Sequence, residues 1–328
     1  MKIIIFYPPA GTTTGGMMVL VQLGKTLRQL AVSVEFCAWD RDHVPYLSEM
    51  GFKVVTGSEV RFKAGDIFIV PEGWPNALAL GLKSKARCFV YCQNWAYLFS
   101  ALPDNISWND LNVDFIAVSD PVRQFIHAAT GRNCNIIRPY IDQNVFLAPE
   151  SKKTEKIQVA CMPRKNKALI KQIKRFVLSR NPGLSDVQWV YIHGLEHNQV
   201  AALLQKSHIF LATGFPEGCP LPPLEAMASG CLVVGFAGFG GWDYMRGQNN
   251  HYLPEISLRD VPWKGNGFFS ADGDVYSAAL NLEKSIIQTR MHEPELKEII
   301  NNAQLTAQFY CSENQKKEVK AWLGQMVS

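Results

Sequence analysis

Short apolar segments alternate with longer amphipathic segments along the first half of the chain. Several of the apolar segments are continuously apolar, which indicates strands of a parallel sheet that helices cover on both faces. Stretches such as Met17–Gln29 and Pro121–Ala129 have the apolar spacing of helices and separate these strands. The predicted strands are Lys2–Tyr7, Ser33–Trp39, Asp66–Val70, Cys88–Tyr91, Phe115–Val118 and Asn135–Arg138.

A polar stretch, Pro149–Lys156, interrupts the alternation and predicts a linker. After it the alternation resumes, and the tail Glu293–Gln325 has a helical pattern whose polar last turns indicate a surface helix. The predicted strands here are Ile157–Met162, Val187–Ile192, Ile209–Ala212 and Cys231–Phe236, and the predicted helices are Ala168–Ser179, Asn198–Gln205 and Pro223–Ser229.

The repeated alternation predicts an α/β chain with two Rossmann-like, doubly wound lobes. We expect an N-terminal lobe over residues 1–148, a C-terminal lobe over 149–306, and a last helix over 307–328 that returns to the first lobe. The length of 328 residues agrees with two domains of about 150 residues each. Because open α/β sheets bind ligands at the carboxyl ends of their strands, two lobes facing across a cleft predict an enzyme or a hinged binding protein.

Composition and charge narrow the function classes. The hydrophobic fraction of 47% and the charged fraction of 19% are ordinary for a globular chain. A net charge of +4 does not favour a nucleic-acid partner, but it suits an anionic ligand or loose contact with an anionic membrane surface. The eight cysteines contain no C-x-x-C pair, which predicts buried thiols in a reducing compartment.

A glycine-containing loop, Pro8–Gly16, joins the first strand to the first helix. Gly15 and Gly16 would let backbone N–H groups approach an anion or a sugar at the positive end of that helix. The spacing is not G-x-G-x-x-G, so a nicotinamide cofactor is not expected. A plain tight turn is the alternative interpretation.

The segment Ile209–Gly230 carries the strongest chemical pattern. A strand is followed by a loop with Glu217, and Pro222 and Pro223 then suit the first turn of a helix that contains Glu225. A carboxylate near a helix N-terminus can accept the two hydroxyls of a ribose, and Glu217 can reach the sugar end of the same ligand. Alternatively, Glu225 interacts only with the helix dipole, worth about 0.3–1 kcal/mol, and Glu217 is solvated.

The stretch Glu217–Gly230 resembles the pattern E-G-x-x-x-P-x-x-E-A-M-A-x-G of the GT-B nucleotide-sugar glycosyltransferases, in particular the retaining family four (group 1). Three further segments support the resemblance: Leu232–Val234 with the glycine loop Gly238–Gly241, Phe115–Ser119, and Ile137–Asp142 with Phe146. The resemblance implies a GT-B fold, a nucleotide diphosphate sugar as donor, retention of the sugar's configuration, and no bound metal or other cofactor.

The resemblance also assigns roles to residues. Glu225 would hold the ribose and Glu217 would orient the donor sugar as a catalytic residue. Family members place an Arg and a Lys after the first strand of the second lobe, where their positive charge neutralises the leaving diphosphate. Arg164, Lys165 and Lys167 lie there, with Arg164 as the catalytic candidate; the family's Arg-to-Lys spacing is not reproduced, and a solvated turn is the alternative. The backbone of Gly218, Cys219, Pro220 and Leu221 would line the diphosphate or sugar, and Gly15 and Gly16 would let the first lobe close over the donor.

One position departs from the family. A histidine of the first lobe often contacts the donor sugar, and here Gln93 or Asn94 stands in its place. Either amide could replace the hydrogen bond but not a proton transfer. The neighbouring Trp95 and Tyr97 could stack on an acceptor sugar or simply pack.

Two metal patterns are interpreted as chance matches. Asp40–Asp42 and Asp272–Asp274 have the D-x-D form of metal-dependent GT-A transferases, but the paired lobes favour GT-B. His193 and His197 match the letters H-x-x-E-H of a zinc protease, but Gly194 would keep the histidines off a single helix. No metal site is expected.

The sequence therefore predicts a retaining, metal-independent glycosyltransferase. It would move a sugar to a glycan or lipid-linked acceptor in surface polysaccharide assembly, in the cytoplasm or at the inner face of the membrane. Two alternatives stay open: a sugar-nucleotide epimerase on the same scaffold, and a degenerate subunit that binds a nucleotide sugar without turnover. The sequence leaves the donor base, the sugar and the oligomeric state undetermined.

Overall fold

The structure, a computed structural model, describes residues 1–9, 14–40, 44–152, 155–248 and 254–327. The chain divides into two compact units, Met1–Tyr140 with Ser312–Ser328, and Ile141–Cys311. Each unit contains one sheet whose paired strands are all parallel, and helices form most of the connections between strands. The predicted fold class, α/β with two doubly wound units, is confirmed.

The N-terminal unit contains a seven-stranded sheet in the order β3-β2-β1-β4-β5-β6-β7. The strands are β1 (Lys2–Phe6), β2 (Ser33–Ala38), β3 (Lys53–Thr56), β4 (Ile67–Pro71), β5 (Arg87–Cys92), β6 (Val113–Ala117) and β7 (Asn135–Ile136). The central strands are buried along their length because they are continuously apolar, as the pattern predicted. The edge strand β3 was missed, since only two of its four residues are apolar.

Helices connect the strands of this unit in chain order, except that a loop joins β3 to β4. The helices are α1 (Gly15–Gln29), α2 (Pro45–Glu49), α3 (Pro75–Leu82), α4 (Tyr97–Ser100) and α5 (Asp120–Thr130). The strand order reverses between β1 and β4, which makes the carboxyl ends of β1, β4 and β5 a topological switch point. The loops that follow these three neighbouring strands are therefore brought together.

The C-terminal unit contains a five-stranded sheet in the order β12-β11-β10-β8-β9. The strands are β8 (Gln158–Cys161), β9 (Gln188–Tyr191), β10 (Ile209–Ala212), β11 (Leu232–Phe236) and β12 (Phe268–Ser270), and the helices are α6 (Lys167–Arg180), α7 (His197–Lys206), α8 (Leu221–Ala228), α9 (Val275–Arg290) and α10 (Pro294–Phe309). Because β10 pairs with β8 on one side and β11 on the other, the loops after these strands are neighbours.

The C-terminal tail forms two helices rather than one, because the helical run is interrupted between α10 and α11 (Ser312–Val327). Helix α11 belongs to the N-terminal unit, where Gln315 accepts a hydrogen bond from Thr26 Oγ1 at 2.6 Å. Trp322 is wholly buried and packs edge-on against Phe89, so the predicted surface helix contributes to the core on one face.

The boundary between the units falls between Tyr140 and Ile141, ahead of the predicted position after residue 148. The Ile141 N–H donates to Tyr310 O at 3.0 Å, and Phe146 packs in the core of the C-terminal unit, which explains the earlier boundary. In the predicted linker, Lys152 Nζ donates to Leu204 O at 3.2 Å, so this residue lies against the C-terminal unit. Residues 153 and 154 of that linker lie outside the described residues.

Candidate functional site

The two motif glutamates lie on consecutive elements of the C-terminal unit. Glu217 lies in the loop between β10 and α8, and Glu225 lies in the second turn of α8. Two prolines, Pro222 and Pro223, occupy the first turn of α8, as their preset φ angle favours. They lack N–H groups, so the only N–H donor within the first three helical positions is that of Leu221.

Glu225 is a buried carboxyl, with 7% of the residue exposed. No other described residue forms a hydrogen bond or an ion pair with this carboxyl, and burial alone raises its pKa to about 7. A buried ionisable group without a partner is unfavourable in the free protein, and such groups cluster at ligand and catalytic sites. The geometry therefore favours a ligand that donates hydrogen bonds to Glu225.

Glu217 is paired with a lysine from the neighbouring loop. Its Oε1 lies 2.8 Å from Lys165 Nζ, and each side chain is 21% exposed. Lys165 Nζ also donates to Pro216 O at 2.6 Å. Asn166, with a φ of 56°, donates from its side chain to Thr213 O at 2.9 Å, which ties the loop after β8 to the loop after β10.

The other two predicted cations lie differently from Lys165. Arg164 and Lys167 are exposed, and neither forms a hydrogen bond or an ion pair with another residue of the described chain. Of the three, the structure places Lys165 beside the glutamate loop. The role of Arg164 at the diphosphate stays a prediction.

The glycine loop after β11 supports the backbone of Glu217. The Glu217 N–H donates to Gly238 O at 2.9 Å, and the Gly240 N–H donates to Glu217 O at 3.0 Å. A Cβ atom on Gly240 would lie 1.9 Å from Gly218 O, and Gly238 has a φ of 65°. Glycines are therefore required here, because any side chain at Gly240 would separate the two loops.

Asp272 is a site residue that sequence reasoning missed. It lies in the turn after β12, and its Oδ1 accepts the Gly238 N–H at 2.8 Å. Burial, with the nearby charge of Glu217, raises the pKa of Asp272, although its backbone hydrogen bonds act in the opposite direction. The D-x-D tripeptide thus supports a loop through Asp272 and caps α9 through Asp274, whose Oδ1 accepts the Ser277 N–H at 3.0 Å.

The prediction that the backbone of residues 218–221 lines the diphosphate or the sugar needs one chemical correction. Gly218, Cys219 and Leu221 carry N–H groups, but Pro220 has none and cannot donate to a phosphate. Pro220 instead acts as an acceptor, since the buried Tyr244 OH donates to its carbonyl at 2.6 Å. Pro220 therefore fixes the start of α8 rather than binding an anion.

Known glycosyltransferases are similar to this chain in sequence. A sequence model for the family described as "Glycosyl transferases group 1" matches residues 177–306. The α-1,6-glucosyltransferase of Actinobacillus pleuropneumoniae serotype 7 is 30% identical over 232 residues, which cover 69% of this chain and 70% of that protein. The chain belongs to the group 1 glycosyltransferases.

Solved structures with low sequence identity share the fold of this glycosyltransferase. A glycosyltransferase from Rickettsia africae has a TM-score of 0.70 at 13% identity, and the match covers 100% of this chain and 98% of that one. Anabaena Alr3699/HepE in complex with UDP-glucose has a TM-score of 0.70 at 15% identity, covering 99% and 100% of the two chains. These matches agree with the GT-B fold that the sequence motifs implied.

In the N-terminal unit of the glycosyltransferase, Gly15 and Gly16 begin α1. Thr14 caps this helix by accepting the Met17 N–H at 3.3 Å, and residues 10–13 of the predicted loop lie outside the described residues. A Cβ atom on Gly16 would lie 2.6 Å from Gln93 Oε1, whereas one on Gly15 would meet nothing within 4 Å. A side chain at position 16 would therefore displace the end of the Gln93 side chain.

Glu72, directly after β4, was also missed. It is 5% exposed and accepts two backbone hydrogen bonds, from the Gln93 N–H at 2.9 Å and from the Asn94 N–H at 2.8 Å. Burial raises the pKa of Glu72 to about 7 against the opposing effect of these bonds. A glutamate at the end of a continuously apolar strand is the signal that could have identified it.

The aromatic residues after Gln93 separate into two environments. Trp95 packs against Phe125, with ring centroids 5.4 Å apart, which agrees with the packing alternative. Tyr97 is 48% exposed, so it could contact an acceptor.

Neither a metal site nor a membrane-spanning helix is found among the described residues. Within the described ranges, no group of three or more His, Cys, Asp or Glu side chains is arranged to hold a metal ion. His193 follows β9 and His197 begins α7, with Gly194 at a φ of 66° between them, so the zinc-protease pattern has no helical context. Residues 41 and 42 of the other D-x-D match lie outside the described residues. No helix in the described part of the chain is long and apolar enough to cross a membrane.

Proposed function

We propose that this glycosyltransferase transfers a sugar from a nucleotide diphosphate sugar to a glycan or lipid-linked acceptor, with retention of configuration and without a metal ion. The observation that carries the proposal is Glu225, a buried carboxyl on α8 without a hydrogen-bond partner among the described residues. Two ribose hydroxyls would donate to its two oxygens and satisfy it. Charge-assisted hydrogen bonds of this kind are among the stronger ones in proteins.

The loops beside Glu225 suit the rest of such a donor. Negative charge builds on the diphosphate as the bond to the sugar breaks, and a positioned cation stabilises that charge. Lys165 is the cation beside the loop, and Arg164, three residues before the start of α6, is the second proposed contributor. The N–H groups of Gly218, Cys219 and Leu221 are proposed to contact the phosphates or the sugar.

Glu217 is proposed to orient the donor sugar and to stabilise the positive charge that develops on its ring. Asp272 adds a second carboxylate close to Glu217 and holds the loop through Gly238. Two carboxylates near the reacting carbon suit a transition state with positive charge on the sugar. The ion pair between Glu217 and Lys165 explains how the charge of Glu217 is tolerated before the donor binds.

The relatives support a nucleotide sugar as the donor and make UDP-glucose the first candidate, because one relative is named a glucosyltransferase and another was solved with UDP-glucose. Metal independence is proposed on the basis of the Arg164–Lys167 cation cluster, which would supply the positive charge at the diphosphate. We further propose that the protein acts in the cytoplasm in surface polysaccharide assembly, with peripheral contact to the membrane if the acceptor is lipid-linked.

The test is a thermal-shift screen of the wild-type protein against a panel of nucleotide sugars, with and without EDTA, followed by transfer assays with the donor that binds. We expect one nucleotide sugar to raise Tm equally in EDTA, and Glu225→Gln to abolish that shift. Glu283→Gln is the matched control, since Glu283 is a buried glutamate of the same unit that pairs with Arg180 at 2.8 Å. Its variant should keep the shift.

The same assays separate the alternatives. An isomerised sugar formed without acceptor would indicate an epimerase, and binding without turnover on any acceptor would indicate a degenerate binding subunit. Activity lost in EDTA and restored by a divalent cation would contradict metal independence. The anomeric configuration of the product, read by NMR, decides between retention and inversion.

A further inference from the structure

Glu72 occupies an unusual place for a carboxyl in the N-terminal unit. It directly follows β4, all of whose residues are buried, and it lies beside the ends of β1 and β5 in the sheet. A carboxyl with 5% exposure is expensive to bury unless its oxygens are hydrogen-bonded. The hydrogen-bond partners of Glu72 therefore indicate the role of this buried carboxyl.

Both oxygens of Glu72 are engaged by one turn. Oε2 accepts the Gln93 N–H at 2.9 Å and Oε1 accepts the Asn94 N–H at 2.8 Å. A carboxylate can accept at both oxygens, whereas a glutamine amide would offer one acceptor and would turn an NH₂ group toward the other N–H donor. The turn after β5 is thus held by a group that no neutral isostere reproduces.

The Gln93 side chain is the polar group that this turn presents. Its Nε2 is buried and makes no hydrogen bond with the rest of the described chain. Its Oε1 lies over the first turn of α1, where a Cβ on Gly16 would approach it to 2.6 Å. The side-chain oxygen of Asn94 is used within the loop, since it accepts the Ala96 N–H at 3.1 Å. An acceptor oxygen, supplied by a ligand or by a water molecule, would satisfy this buried amide donor.

We propose that Glu72 is a positioning residue that fixes the Gln93–Asn94 turn, so that the Gln93 amide donates a hydrogen bond to a hydroxyl oxygen of the bound sugar. This inference rests on the proposed function. A hydroxyl of the donor sugar and one of the acceptor sugar offer the same chemistry to the amide. Glu72 itself touches no substrate and acts through Gln93.

The first experiment measures hydrogen exchange of the peptide that contains Gln93 and Asn94, in the wild type and in Glu72→Gln. We expect these amides to exchange at least ~10-fold faster in the variant, because a buried hydrogen bond is lost. This readout needs no substrate. Unchanged exchange would show that Glu72 does not hold the turn and would overturn the proposal.

Asp66 provides a matched control at the opposite end of β4. It is 4% exposed, and its carboxyl also accepts two backbone N–H groups, from Lys2 at 2.9 Å and from Lys63 at 2.9 Å. Asp66→Asn therefore removes the same kind of bridge from the same strand. Like Glu72→Gln, it should leave one backbone N–H donor without its acceptor and speed the exchange of that amide, while kcat/KM stays within about twofold of the wild type. An equal loss of activity in both variants would show that Glu72 is merely structural.

The second experiment is a double-mutant cycle between Glu72→Gln and Gln93→Ala, with kcat and KM measured separately. We expect each single variant to lower kcat/KM about tenfold, and the double variant to be no worse than Gln93→Ala alone. Additive losses would overturn the proposal, because they would show that Glu72 does not act through Gln93. Gln93→Ala truncates a side chain whose Nε2 makes no hydrogen bond with the described residues, so it keeps the test valid if Glu72→Gln folds poorly.

A steric variant checks the same contact independently. Gly16→Ala should displace the Gln93 amide and lower kcat/KM, and this loss should vanish in the Gln93→Ala background. Gly324→Ala, a helical glycine of α11 with open space around it, is the control for the substitution itself. A Gly16→Ala loss that persists without the Gln93 side chain would contradict the contact.

The two sources of the hydroxyl are separated by the substrate that responds. A raised KM for the nucleotide sugar, or slower donor hydrolysis without acceptor, assigns the donor sugar. A raised KM for the acceptor alone assigns the acceptor sugar. Wild-type protein that neither binds nor turns over any nucleotide sugar would overturn the proposed function and the sugar contact with it, while hydrogen exchange still decides whether Glu72 holds the turn.

Discussion

Glu72 and Glu225 show how two equally buried carboxyls acquire different roles. They are 5% and 7% exposed, and burial raises the pKa of each to about 7. Glu72 accepts two backbone N–H groups, whereas Glu225 has no hydrogen-bond partner in the described chain. Burial and pKa are thus insufficient to assign a role. The hydrogen-bond partners of the oxygens distinguish a carboxyl that stabilises the fold from one whose oxygens are available to a ligand.

Both carboxyls affect stability in the same direction as pH changes. Their folded pKa values lie above 4.5, so the folded state binds more protons than the unfolded state between about pH 4.5 and pH 7. Stability is therefore lost as pH rises through this window and stays lost above it. Each carboxyl is buried despite this cost, which agrees with a function for both.

The largest expected effect is the loss of affinity for the donor when Glu225 is substituted. Glu225→Gln should weaken nucleotide-sugar binding on the order of 100-fold, because charge-assisted hydrogen bonds to two hydroxyls are replaced by weaker neutral ones. Glu72→Gln should weaken it less. Isothermal titration of both variants measures the difference, and equal losses would remove the distinction between the two carboxyls.

Stability of the unliganded protein should separate the two carboxyls by magnitude. At pH 8, Glu72→Gln removes the same unfavourable buried charge but leaves one N–H donor without its buried acceptor, so its net stabilisation should be about 1–3 kcal/mol smaller than that of Glu225→Gln. Glu225→Gln should stabilise the protein by about 1–3 kcal/mol, since a buried charge without a partner is removed. Urea denaturation of the whole protein, monitored by one probe in the N-terminal unit and another in the C-terminal unit, gives both free energies of unfolding. Destabilisation by Glu225→Gln would indicate a structural partner for this carboxyl.

The pH dependence of binding should follow Glu225. Ribose hydroxyls donate to the ionised carboxylate, so nucleotide-sugar affinity should rise about tenfold between pH 6 and pH 8 as a group with a pKa of about 7 ionises. Titrations across this range should give a flat profile for Glu225→Gln. A flat profile in the wild type would contradict the assignment of Glu225 to the ribose.

The smallest expected effect concerns Asp272, which supports Glu217 through Gly238 as Glu72 supports Gln93. Asp272→Asn keeps one acceptor oxygen for the Gly238 N–H, so kcat should fall only about threefold to tenfold with little change in donor affinity. Steady-state kinetics check this split between kcat and KM. A large rise in KM would instead indicate direct contact between Asp272 and the donor.

The two glutamates that the sequence predicted as site residues are carried by a contiguous motif. Glu217 and Glu225 lie on one loop and the helix that follows it, and local rules for prolines at a helix start place them. The buried strands were identified for the same reason, since each forms its own continuous apolar pattern. Short elements with little pattern, such as β3 and β12, were missed.

Only the tertiary structure decided which distant groups meet. Glu72 contacts the turn at Gln93 because β4 and β5 are adjacent and parallel, so their carboxyl ends share one edge of the sheet. The order of the second sheet places Lys165, which follows β8, beside the Glu217 loop, which follows β10. It also places Asp272, which follows β12, beside the Gly238 loop, which follows β11. Local sequence patterns determine the elements and one motif of this glycosyltransferase. Strand order, set by packing across the whole unit, determines which side chains support that motif.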